Sequence, residues 1–189
     1  YTLVYTLSLH DALPILSLPD HRSQRALLER VYGDAGLDPA RLVYLEAHGT
    51  GTAVGDPAEA TSIGEALAAA RERVEPLPVG SVKGNVGHLE PASGMAGLLK
   101  AIALLAHRRI PRSLFFETPN PAIDFAGLGL RVVDRAQPLA PRPGDLVGVN
   151  SFGFGGANAH VVLEAPPPAT ASAPPATLPP VIVTAHSRA

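Results

Sequence analysis

Two histidines and a lysine, each in a glycine-rich segment, are the residues of this 189-residue chain best suited to chemistry. His48 sits in Glu46-Ala47-His48-Gly49-Thr50-Gly51-Thr52, at the end of a strand-like run, where α/β proteins usually carry reactive groups. Lys83 and His88 share Ser81-Val82-Lys83-Gly84-Asn85-Val86-Gly87-His88-Leu89-Glu90-Pro91. His88 falls just ahead of a helix whose N-terminus carries positive partial charge, a setting that keeps imidazole neutral. A neutral imidazole can donate one N–H to a developing oxyanion or accept a proton, and Lys83 can bias its charge or anchor a polar network. A third segment, Asn150 to His160 (NSFGFGGANAH), joins glycines that permit close backbone approach to two bulky aromatics. A free N–H in such a turn can serve an oxyanion hole. Each feature also has a plain structural reading: a histidine fixed by backbone hydrogen bonds, a surface lysine, a tight hairpin turn. His160, alternating along a hydrophobic strand, is read as structural.

Other chemistries fit less well. Strand, Gly49-x-Gly51-x-x-x-Gly55 and helix loosely imitate a dinucleotide fingerprint, but the spacing is one residue too long. Asp56 would also place a carboxylate where a pyrophosphate needs positive potential. No histidine pair has the short spacing of a zinc site and the chain has no cysteine, so no metal is expected, nor a cysteine nucleophile from this sequence. A formal net charge of -2 with only 15 Lys+Arg gives no nucleic-acid footprint. No run reaches the roughly 18 apolar residues of a membrane span. The chain is expected to be soluble and cytoplasmic.

The elements that must position these residues follow from periodicity and stop signals. Ala26, Leu27, Val31 and Tyr32 fall at helical spacing between Asp20 and Gly36. Arg41 to Ala47 reads as a short strand. Asp56-Pro57-Ala58-Glu59 reads as a helix start, with Asp as N-cap and a helix to about Arg71. Leu77 to Val82 reads as a strand, and Pro91 opens a helix through Met95, Leu98, Leu99, Ile102 and Leu105. Its small residues, including Gly94, Gly97 and Ala101, suggest a buried central helix. Leu130 to Val133 reads as a strand, and strands at Leu146 to Ser151 and Ala159 to Leu163 flank the Gly153 to Gly156 turn as a hairpin. From Pro166 the chain is rich in proline, alanine, serine and threonine, the composition of an extended linker. The first 16 residues, YTLVYTLSLHDALPIL, lack the marks of a signal peptide, resemble translated sequencing-adapter sequence, and are expected to be a non-native leader.

Taken in order, EAHGTGTAVGDPAEA, GSVKGNVGHLEPASG and NSFGFGGANAHVVLE resemble the ketosynthase (β-ketoacyl-acyl carrier protein synthase) domains of type I modular polyketide synthases. The likeness runs from about residue 22 to 165 and includes IPRSLFFETPNPAIDF. It implies a thiolase-like layered αβαβα fold of two similar halves, with residues 17–165 supplying the C-terminal half and 166–189 a Pro-rich linker towards an acyltransferase domain. It implies an acyltransferase reaction, the decarboxylative Claisen condensation of an acyl thioester with a malonyl-type extender. His48 and His88 would promote decarboxylation and stabilise the enolate oxygen, with Lys83 supporting the site. Thr50 and Thr52 match positions that contact the phosphopantetheine arm, and Phe154 matches a gating aromatic whose N–H helps form the oxyanion hole. No directly bound cofactor is implied, since substrates ride on the phosphopantetheine of acyl carrier protein. The partners implied are that carrier, the acyltransferase domain and a second copy in a homodimer. Lacking the nucleophilic cysteine, the chain alone is expected to be inactive and to expose surface normally covered by the other half. The alternative is a non-elongating ketosynthase-like module that binds carrier protein or serves dimerisation.

Overall fold

The structure is a computed structural model that describes the backbone of residues 2–9 together with residues 20–68, 75–153 and 156–165. Phe154 and the proline-rich stretch from 166 onward lie outside the described residues. Strand β2 (Leu42–Glu46) is the centre of the sheet, lying between β3 (Leu77–Gly80) and β7 (Leu146–Phe152) with both pairings parallel. β5 (Leu130–Val132) extends the sheet beside β3. On the other side β8 (Asn158–Glu164) forms an antiparallel hairpin with β7, and β1 (Thr2–Leu9) is the edge strand against β8. The order is β1-β8-β7-β2-β3-β5. Residues 2–9, expected to be a foreign leader, thus occupy the sheet edge. A small second sheet pairs β4 (Arg109–Ile110) with β6 (Gln137–Pro138).

Two apolar layers cover this sheet. Helices α1 (His21–Asp34) and α2 (Gly55–Ala68) bury Leu27, Leu28, Val31, Ile63 and Leu67 with Leu45 on one face. Helix α4 (Ser93–His107) packs Ala101, Leu104 and Leu105 with Tyr44 and Val147 on the other. A central parallel strand must be apolar on both faces, which is why β2 reads as a continuous run rather than an alternation. Asp20 caps α1 by accepting the Arg22 N–H. The buried stripe of α1 is Gln24, Leu27, Leu28, Val31 and Tyr32, and Ala26 faces solvent.

The helix expected to be buried and central is buried on one face only. Gly94 and Gly97 lie against Ser151 and Val149 of β7, while Met95 and Leu99 on the far side are 58% and 59% exposed. Apolar spacing marked residues on both faces, and among the described residues the sheet provides a partner for one. The helix also begins two residues later than expected, because Glu90–Ala92 forms a separate 3₁₀ turn that contains Pro91.

His160, read as structural, is fully buried. Its Nδ1 lies 2.6 Å from Asn150 Oδ1 and its Nε2 3.3 Å from the Tyr32 hydroxyl. Because the Asn150 amide N–H is committed elsewhere, to Glu59, its Oδ1 is an acceptor, so the imidazole carries its proton on Nδ1. Burial lowers the His160 pKa to about 3, against 6.5 for an exposed histidine. The unfolded chain binds a proton that the folded chain refuses, so this contribution is fully present above pH 6.5 and lost as pH falls towards about 3. Urea unfolding of wild type and His160→Gln between pH 4.5 and 7 tests this. The wild-type stability should fall more steeply below pH 6.5, by up to ~1.4 kcal/mol per pH unit relative to the variant.

Candidate active site

The turn after β2 carries His48 and is held from below by one carboxylate. Glu59, in the second turn of α2, is 5% exposed and accepts hydrogen bonds from His48 N at 2.7 Å, Gly49 N at 2.8 Å and Asn150 Nδ2 at 2.9 Å. Burial raises its pKa, and those three donors work against the rise. Gly49 has φ +47°, and a Cβ there would stand 2.8 Å from Ser81 Cβ, so both conformation and space require glycine. Thr50 and Thr52 follow at the rim, their hydroxyls 3.3 Å apart. Thr52 Oγ1 accepts the Gly55 N–H, and Asp56 reaches back to Gly51 N. The helix therefore starts at Gly55, with Asp56 inside its first turn rather than at its N-cap.

Lys83 opens the short helix α3 (Lys83–Val86). Its Nζ lies 3.3 Å from His48 Nδ1 and also donates to the His48 carbonyl. His88 follows in an exposed loop, where its Nδ1 accepts the Glu90 N–H at 3.0 Å. The two imidazoles meet edge to face, ring centroids 5.5 Å apart, and Phe152 lies 6.0 Å from His48 on its other side. Both Nδ1 atoms face donors, so each imidazole, when neutral, carries its proton on Nε2. His48 is neutral at pH 7: burial first, then Lys83 and His88, lower its pKa to about 4. Burial also lowers the Lys83 pKa, against the pull of Glu59, Glu46 and Asp56. Two imidazole N–H donors beside one lysine can stabilise negative charge developing on an oxygen.

The structure thus brings together His48, Lys83 and His88, with Thr50 and Thr52 alongside. Phe154 lies outside the described residues. Sequence reasoning missed Glu59, which has a sufficient local explanation as an acidic residue near a helix start, and Asn150, which lay in the third motif without a role. Among the described residues no group of three or more His, Cys, Asp and Glu is arranged to hold a metal ion, and no helix is long and apolar enough to cross a membrane.

Comparison with known proteins gives the same picture from outside. The model of the β-ketoacyl synthase C-terminal domain matches residues 6–117, and that of the ketoacyl-synthetase C-terminal extension matches 119–189. Polyketide synthase GfsA of Streptomyces halstedii is 50% identical over 156 residues, covering 80% of this chain and 2% of that protein. Highly reducing polyketide synthase PKS6 of Gibberella zeae is 46% identical over 150 residues, covering 79% of this chain and 6% of that protein. Among solved structures, the oxazolomycin ketosynthase domain OzmH KS7 of Streptomyces albus JA3453 superposes with a TM-score of 0.83 at 36% identity, over 94% of this chain and 32% of that one. The ketosynthase from module 1 of the bacillaene synthase of Bacillus amyloliquefaciens FZB42 gives 0.82 at 30% identity, over 88% and 32%. The chain therefore spans a small part of these synthases and about a third of either solved chain.

Removing the Glu59 carboxylate would leave two part-buried backbone N–H groups and the buried Asn150 amide without that acceptor. Each stranded donor costs about 1–3 kcal/mol. Glu59→Ala is expected to lower the urea midpoint well beyond the shift of a surface control such as Glu29→Ala, whose side chain is exposed.

Proposed function

This chain belongs to the β-ketoacyl synthase family, of which it carries the C-terminal domain in a thiolase-like fold, and on that premise we propose that it supplies the decarboxylation half of a condensing active site. The substrate is a malonyl-type thioester presented on the phosphopantetheine arm of acyl carrier protein. When its carboxylate leaves as carbon dioxide, the bonding pair stays on the α-carbon and is delocalised onto the thioester oxygen. His48 and His88 donate their Nε2–H groups to that oxygen as it becomes negative. The carbanion then attacks an acyl thioester held on a cysteine from outside this cysteine-free sequence, and the cysteine thiolate leaves. The product is a β-ketoacyl thioester on the carrier.

The single observation that carries this reading is the meeting of two imidazoles, each with Nδ1 turned to a donor. His48 is held far from protonation by burial and by Lys83, which suits it to donating an N–H rather than to holding a proton at neutral pH. Charge stabilisation needs only the N–H and gains from a site partly shielded from water. Lys83 holds His48 and adds positive potential. Thr50 and Thr52, at the rim of the His48 turn, lend their hydroxyls to the pantetheine amides, and Phe154 keeps the gating role its motif suggests. Carrier protein, an adjoining acyltransferase domain and a second copy are the partners that this reaction requires or its modular setting suggests.

In the full-length protein, His48→Ala and His88→Ala are each expected to slow carbon dioxide release from malonyl carrier protein by about 10²- to 10³-fold, the usual effect of removing one such donor. Undiminished release from both variants would sink the assignment. The purified 189-residue chain, which has no cysteine to accept the acyl group, should give no β-ketoacyl thioester when supplied with acyl and malonyl carriers. Product detected by mass spectrometry above a no-protein control would show that another nucleophile serves.

A further inference from the structure

Behind the histidines lies a second carboxylate that the chemistry above does not use. Glu46 ends β2 and is 1% exposed. Its Oε2 lies 2.7 Å from Lys100 Nζ on α4 and accepts the Tyr44 hydroxyl proton at 2.7 Å, while Lys100 also donates to that hydroxyl at 2.9 Å. Its other oxygen accepts the backbone N–H of Val82, the residue before Lys83. Two glycines make room: a Cβ at Gly80 would stand 2.6 Å from Tyr44 Oη, and one at Gly97 3.3 Å from Glu46 Cγ. A buried ion pair is weak evidence for stability, because both charges are removed from water to form it. The bond to Val82 is what gives this pair a bearing on the site.

We propose that Glu46, held in place by Lys100 and Tyr44, is a positioning residue: by gripping the Val82 N–H it fixes the turn from which Lys83 reaches His48. The chain of contacts runs from α4 through Glu46 to Val82, then along the backbone to Lys83 and across to the His48 carbonyl and Nδ1. The charged and titratable groups facing the Lys83–His48 pair are His88 from the loop before α4, Glu59 and Asp56 from α2, and Glu46 itself from β2. From β7 the neutral ring of Phe152 lies beside His48. Reach and charge can therefore be separated at position 46. Glu46→Asp keeps the charge but shortens the side chain by one methylene, so it cannot bond Lys100 and Val82 together. Glu46→Gln loses the charge but keeps an oxygen at full reach.

The test follows the His48 ring by NMR in a complete ketosynthase domain bearing this chain, labelled with ¹⁵N-histidine and titrated with acid. If Glu46 positions Lys83, Glu46→Asp lets Lys83 drift from His48, and the His48 midpoint should rise measurably, by up to about one pH unit. Glu46→Gln should leave the midpoint in place or lower it, because losing a nearby negative charge disfavours the imidazolium. A Glu46→Asp midpoint equal to or below that of wild type, with far-UV circular dichroism unchanged, overturns the positioning role. In a second arm, which rests on the function proposed above, Glu46→Asp should lower kcat for malonyl decarboxylation about tenfold with KM within about twofold, as for loss of an interaction made only in the transition state. The arms fail separately. A midpoint that rises while His48→Ala still releases carbon dioxide at full rate upholds the clamp and rejects the catalytic reading. An unmoved midpoint with an inactive His48→Ala does the reverse.

Discussion

Glu59 is the point on which the site depends. It is a buried carboxyl group whose bonded neighbours among the described residues are all N–H donors: two backbone amides and the side-chain amide of Asn150. Such a group is tolerable in the interior only while its donors stay in place, and the donors only while the carboxyl group does. The His48 turn therefore cannot move away from α2 without stranding polar groups on both sides. Asn150 carries the same dependence further, to His160 on β8 and to Tyr32 on α1. A polar thread crosses the molecule from the first helix to the reactive turn, and each link fixes the proton position of the next.

Glu46 and Glu59 divide the work by the face they approach from. Glu59 reaches the end of β2 from α2, while Glu46 points to the α4 side with Tyr44. One fixes the backbone of His48, the other the backbone just ahead of Lys83. The imidazole and the ammonium group are thus located independently, and their contact is the meeting of two anchored turns. An ammonium group so close would disfavour imidazolium wherever it sat, but anchoring makes the effect constant. On the function proposed above this amounts to preorganisation: the His48 turn and Lys83 are fixed by the fold itself.

Much of this was legible in the sequence, and what was not has identifiable causes. The order of strands and helices followed from apolar period and stop signals, since Asp20 caps α1 and the Asn150 and His160 strands form a hairpin. His48, Lys83 and His88 stood out because glycines surround them, and glycines mark places where the backbone must turn sharply or lie close to something. Ala26 was misassigned because an alanine fits either face of a helix. The exposure of Met95 and Leu99 could not be read from α4 itself, because apolar spacing reports which residues can be covered and not whether anything covers them. Glu59 escaped notice because a glutamate near a helix start already has a local explanation. Lys100 and Tyr44 lie 56 residues apart, and no local pattern joins a lysine on a helix to a tyrosine on a strand.

The two glycines beside the Glu46 clamp widen what inheritance has to preserve. Positions 80 and 97 carry no side chain and no charge, yet a methyl group at either would press on Tyr44 or Glu46. At Gly80 the intrusion is severe; at Gly97 the neighbours would have to yield by a few tenths of an ångström. Random drift would therefore find this machinery vulnerable through empty space as well as through its histidines and carboxylates. A lineage that exchanged either glycine could keep every polar group of the clamp and still lose its alignment, unless a compensating change on α4 or β2 restored the gap.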